Sequence, residues 1–157
     1  MSNKPLTSGL SFGLTSGVIT TLGLLIGLEA GTGSKVTVLA GILTIAVADA
    51  LSDALGMHVA EEAKGDEHDK EIWQATFATL LAKFFIAMTF VVPVLFFSTL
   101  VAITTSIIWG FLLIIALTYY ISFQQKRSFW EPVFEHLLIS TIVVITTYYI
   151  GYWTRGF

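Results

Sequence analysis

Hydrophobic positions run together in five long stretches, roughly 9–28, 36–60, 74–97, 99–122 and 133–153, and polar residues gather mainly between them. Each stretch is long enough for a helix to cross the hydrocarbon layer of a bilayer, which takes ~20 apolar residues. The pattern predicts an all-α integral membrane protein, a single domain of five transmembrane helices. The connections carry signals that stop and start helices. Gly31 and Gly33 precede Ser34, a natural cap for the second span, while Gly65 can end that span and Asp66 or Asp69 can cap the third. Ser128 and Glu131 have the spacing of a capping box, with Pro132 in the first turn of the fifth span. Only Phe97, Ser98 and Thr99 separate spans three and four, so a tight antiparallel hairpin is expected. Pro93 should kink or end the third span near its far end. The first stretch is not read as a cleaved signal peptide, because its apolar run is long, no small-residue cleavage site follows and four more spans come after it.

Composition strengthens this reading. Of 157 residues, 55% are hydrophobic and 12% charged, and the mean hydropathy is +0.81; a soluble domain of this length is far more polar. The absence of cysteine removes disulfides and thiolate ligands, and a net charge of -3 argues against a nucleic-acid partner, leaving membrane lipid as the expected surroundings. With five spans, Lys4, Lys64, Lys70, Lys126 and Arg127 share one side and Lys35 and Arg155 the other, so the N terminus is expected in the cytoplasm and the C terminus outside or in a lumen. Trp73, Trp130 and Trp153 fall near span ends, where they should anchor the interface. Nothing resembles a nucleophile triad, a phosphate-cradling loop or a dinucleotide fingerprint, so an enzyme is not expected.

Polar residues inside the spans change the picture. The second span carries Asp49, Asp53, Met57 and Glu61 at four-residue spacing, and each step of four turns only ~40° around a helix. The side chains therefore form one winding stripe, with Asp49 near the bilayer midplane. A carboxylate there costs ~2.5–3.5 kcal/mol on insertion scales, which points to a polar pathway or a bound cation that offsets the cost. Two plainer readings stand beside it: serine, threonine or Lys83 satisfies the carboxylates inside the bundle, and Met57 only packs. Lys83, inside the third span, either pairs in this way or snorkels to the interface. His58 falls ~180° around the helix from Asp49 and is a poor co-ligand, better explained as a satisfied histidine. The turn after span two carries Glu61, Glu62, Asp66, Glu67, His68 and Glu71, either a solvated connection or an entrance that concentrates cations by its field.

The first span carries Gly9, Gly13, Gly17, Gly23, Gly27 and Gly31 within an arc of roughly 120°, together with Ser16 and Thr20. Such a bare face suits very close helix contact, within the chain or across a dimer seam, or forms the wall of a pathway. In the fifth span His136, Ser140, Thr147 and Gly151 make a second face of small and polar residues, suited to packing on the pathway or on a neighbouring helix.

The first-span segment GLTSGVITTLGLLIGLEAG, the second-span segment AGILTIAVADALSDALGMHVAEEA, the motif FVVPVLFF and the ending TTYYIGYW together resemble the vacuolar iron transporter family of divalent-metal/proton exchangers. The resemblance covers almost the whole chain and implies five spans, a cytoplasmic N terminus and a homodimer whose pathway lies at the interface beside spans one and two. The chain departs from the family pattern at defined places. Ser16 and Gly17 stand where the family has aspartate and glycine. In span two the family's serine-methionine and glycine-glutamate pairs are Ser52-Asp53 and Gly56-Met57. The long metal-binding helices that many members carry between spans two and three are replaced by residues 61–71.

Asp49, Asp53, Met57 and Glu61 offer hard oxygens with one softer thioether, a mixture that suits Fe²⁺ or Mn²⁺ as transported substrate better than Mg²⁺. No permanently bound cofactor is expected. Cation and proton compete for the same carboxylates, which would couple their movements. The expectation is transport of a divalent metal out of the cytoplasm in exchange for protons; the alternative is a non-transporting assembly protein that oligomerises through the glycine face.

Overall fold

In the computed structural model, which describes residues 4–65 and 68–157, the chain is helical from one side of the bundle to the other. Among the described residues six helices follow in order: α1 (Lys4–Thr32), α2 (Lys35–Glu62), α3 (Asp69–Thr89), α4 (Val91–Phe96), α5 (Thr99–Gln125) and α6 (Trp130–Thr154). Taken together, α3 and α4 form one span, Asp69–Phe96, so five helices are long and apolar enough to cross a membrane. The protein is a multi-pass, all-α membrane protein. The helices extend a few residues beyond the apolar runs, because polar flanking residues remain helical until a cap or a turn stops them.

Ser34 caps α2 as expected, accepting from the Thr37 N–H at 3.3 Å. Gly33 and Gly65 occupy the left-handed region, with φ of 58° and 73°, where an L side chain is strained. Two predicted caps are replaced. His68 holds the N-cap position of α3 without a side-chain bond, and Asp69 lies inside the first turn; Asp66 lies outside the described residues, as does Glu67 of the predicted entrance. At α6 the N-cap is Phe129, not Ser128, so the capping box does not form. Lys126 turns the chain at φ 52° and Arg127 N–H closes on the Ser122 carbonyl at 3.1 Å, while the Phe129 ring packs on Tyr119 and Trp130. This closure and the ring contacts leave only a short connection in which Ser128 precedes the cap.

Pro93 divides the third span where it removes a bond, since it has no N–H for the carbonyl of Thr89, the last residue of α3. Thr89 is held in place by its own hydroxyl, which donates to the Ile86 carbonyl at 2.7 Å and accepts from Trp109 Nε1 at 3.0 Å. At the far end, Lys35 Nζ donates to the carbonyls of Leu95 and Phe97 at 2.9 and 3.1 Å, tying the start of α2 to the end of α4.

The first helix is the hub, and its glycines explain how. A Cβ on Gly13 would lie 2.6 Å from the Thr79 carbonyl oxygen, and one on Gly9 would collide with the Ala75 carbonyl, so this half of α1 lies directly on α3. The contact is close enough for the Thr79 hydroxyl to reach the Gly9 carbonyl at 3.1 Å. Further along, a Cβ on Gly23 would lie 2.8 Å from Val143 Cγ1, and Gly27 and Gly31 face Thr147 and Gly151 of α6. The glycine face is therefore filled within the chain by two different helices and does not form a free seam. The same contacts place Thr147 and Gly151 of the α6 face on α1. Beyond Gly17 an apolar core gathers Val18, Leu22, Ile26, Val38, Ile42, Phe90, Val94 and Ile114 from α1, α2, the third span and α5.

Leucine at Gly13 or Gly27 should destabilise the folded chain by roughly 3 kcal/mol, because overpacking here pushes backbone against backbone. Leucine at Gly56, which has nothing within 4 Å of an added Cβ, should leave within-chain stability unchanged. Thermal unfolding in detergent of the three variants measures the contrast.

Candidate functional site

Close approach of α1 to α3 brings a polar group into the middle of the bundle. Gly17 lies against α3 where a Cβ would sit 3.3 Å from the Lys83 Cα and 3.2 Å from Ile86 Cγ2. Its neighbour Ser16 faces the same contact. From there Lys83 extends toward α2, where Asp49 and Asp53 stand one helical turn apart. Lys83 is 2% exposed and does not snorkel. Its ammonium pairs with Asp49 Oδ2 at 2.6 Å and with Asp53 Oδ2, and donates to Ser16 Oγ at 2.9 Å. The Ser16 hydroxyl in turn donates to Asp53 Oδ2 at 2.8 Å. An ammonium has three N–H donors, and here each has an oxygen acceptor.

The group carries two carboxylates and one ammonium, an excess of one negative charge. Lys83 is covered, whereas the side chains of Asp49 and Asp53 remain 31% and 21% exposed, so the carboxylates open toward the outside of α2. On that side α2 exposes small residues at every fourth position, Ala40, Thr44, Ala48, Ser52, Gly56 and Ala60.

The stripe proposed from the sequence is divided. Asp49 and Asp53 share Lys83. Met57 is half-buried one turn further on, and Glu61 lies about 12 Å along the helix from Asp53. Glu61 is 1% exposed, and its carboxylate is held by Lys64 at 2.6 Å. Among the described residues no three His, Asp or Glu side chains converge as a metal-holding group. Of the predicted entrance, Glu62 and His68 are exposed and Glu71 is half-buried. His58 is satisfied outside the stripe: its Nδ1 meets Thr76 Oγ1 at 3.0 Å and its ring packs edge-on to Trp73. His136 similarly meets Thr118 Oγ1 at 2.9 Å between α6 and α5.

The plainer reading of the two carboxylates, satisfaction inside the bundle by serine or Lys83, is the arrangement found. Ser16, expected as a wall, is a hydrogen-bonding member of the group, and Lys83 is its centre. The available signal was that Lys83 is the one Lys or Arg between Ile72 and Phe96. Which carboxylates it meets depends on how α2 and α3 dock.

No family model, curated protein or solved structure matches the chain.

Removing both carboxylates with Asp49→Asn and Asp53→Asn should leave the buried Lys83 uncompensated and cost about 3 kcal/mol or more. Adding Lys83→Met to that pair should restore most of the loss, because the charge and its partners then disappear together. Unfolding midpoints of the double and triple variants in detergent check this; a triple variant no more stable than the double would contradict it.

Proposed function

We propose that the chain is a membrane exchanger that moves divalent metal ions, Fe²⁺ or Mn²⁺, out of the cytoplasm in exchange for protons, with Asp49 and Asp53 as the ligands deepest in the membrane. The observation that carries this reading is the pairing of two mid-span carboxylates with a single ammonium, which leaves negative charge in excess on side chains that stay partly uncovered. Charge at that depth is costly, and a permeating cation supplies what the protein withholds. Protons compete with the cation for the same carboxylates, so occupation by one expels the other. Met57 and Glu61 lie along the same helix between this pair and the acidic turn and serve as earlier stations on the path out of the cytoplasm, with Glu62 and Glu71 at its mouth.

A second copy of the chain supplies the missing wall. Carboxylates that open beside α2 cannot face lipid, and the small residues Ala48, Ser52 and Gly56 next to them allow another helix to approach closely. A homodimer joined through this face encloses the site and brings two sets of carboxylates together. The resemblance of the first, second and fifth spans to vacuolar iron transporters supports the same arrangement.

Purified protein in sealed vesicles should take up Mn²⁺ or Fe²⁺ when a pH gradient is imposed, and metal movement should dissipate the gradient. Absence of metal flux under gradients of either direction would overturn the exchanger. Gly56→Leu should convert the dimer to a monomer and lower flux at least tenfold while the monomer fold persists, as size-exclusion with light scattering and the vesicle assay measure together.

A further inference from the structure

We infer that Lys83 is the resident occupant of the cation site, a tethered ammonium that must leave Asp49 and Asp53 before a metal ion binds and thereby sets the charge a substrate needs; this rests on the reading of those carboxylates as ligands. Its nitrogen sits where a bound ion would sit, among three oxygens contributed by α1 and α2: Asp49 Oδ2 at 2.6 Å, Ser16 Oγ at 2.9 Å and Asp53 Oδ2. One oxygen of each carboxylate is thus engaged by the ammonium. Each carboxylate keeps a second oxygen, but a dication bound to both would stand close to the ammonium, and the repulsion between like charges there opposes binding until Lys83 withdraws.

The attachment of Lys83 determines how it leaves. Its Cα is pinned against α1, since even a methyl group on Gly17 would come within 3.3 Å of it. Release therefore proceeds by rotation of the four-carbon side chain and needs no sliding of α3. Lysine suits the task because its ammonium is a compact point charge on a flexible stem, whereas an arginine fork would grip a carboxylate bidentately.

The same arrangement makes Lys83 specificity-determining. A monovalent cation that displaces the ammonium replaces one single charge with another and gains nothing over a competitor already tethered at the site. A divalent ion brings twice the charge to the two carboxylates and wins the exchange. Without the ammonium this threshold disappears, and monovalent ions gain access to an unpaired dicarboxylate.

The test compares the wild-type chain with Lys83→Met and Lys83→Arg in detergent, using Mn²⁺ and Na⁺ separately as ligands and thermal stabilisation as readout. Wild type should respond to Mn²⁺ and not to Na⁺. Lys83→Met should bind Mn²⁺ roughly tenfold more tightly or better, the scale of close charge-pair couplings, and should acquire stabilisation by Na⁺. Lys83→Arg keeps the internal charge and with it the fold, and should bind Mn²⁺ roughly tenfold more weakly. If Lys83→Met does not fold, the Arg variant decides: unchanged Mn²⁺ affinity there overturns the inference. Equal or weaker Mn²⁺ binding by a folded Lys83→Met also overturns it and leaves Lys83 as a positioning residue that holds α2 to α3. Failure of the wild type to bind or move Mn²⁺ is a separate result, which removes the exchanger reading itself.

Discussion

A charged amine in the middle of an apolar bundle has to be satisfied from every direction, and the structure around Lys83 follows from that requirement. The ammonium draws Ser16 from α1 and Asp49 and Asp53 from α2 onto a side chain of α3, so three spans share one polar centre. Apolar contacts between helices in lipid are weakly directional, since lipid tails are as apolar as the side chains they replace. A buried ion pair is directional, and it defines the rotation of α2 about its own axis and its register against α3.

Close packing of α1 makes that centre possible. Gly9, Gly13 and Gly17 let the α3 backbone approach so near that Ser16 reaches the Lys83 ammonium and Thr79 reaches the Gly9 carbonyl. The next glycines, Gly23, Gly27 and Gly31, receive α6. One helix thus serves two neighbours with successive halves of a single small-residue face, and the apolar core fills the space on the side where α2, α4 and α5 meet it. Both partners offer small residues to it, Ala75, Thr79 and Ala82 on α3 and Thr147 and Gly151 on α6, and only the α3 contact runs on to the charged group at Gly17 and Lys83.

The partial exposure of Asp49 and Asp53 is the feature on which the proposed exchanger rests. Lys83 is sealed, but its partners lie beside a row of small side chains on α2 that stays exposed among the described residues. Burial leaves the lysine satisfied by its partners alone, while the two carboxylates keep part of their surface uncovered. The proposed exchanger and its dimer both draw on this asymmetry.

The sequence by itself determined the five membrane-crossing helices, the hairpin at Ser98, the break at Pro93 and the Ser34 cap, because each follows from local properties: apolar length, a missing N–H, a hydroxyl before a helix. It also marked Asp49 and Asp53 as costly and the α1 glycines as a contact face, since depth and angular position can be counted along a helix. Local signals misled where neighbours intervened: Ser128 has capping chemistry, yet the turn at Lys126 and the packing of Phe129 start α6 one residue later. Only the tertiary structure decided that the glycines are divided between α3 and α6, that Glu61 is buried while the exposed Lys64 pairs with it, and that Lys83 turns inward to join Ser16 with both aspartates. Those outcomes depend on the relative rotation and register of whole helices, which residues far apart in the chain set together and no single segment encodes.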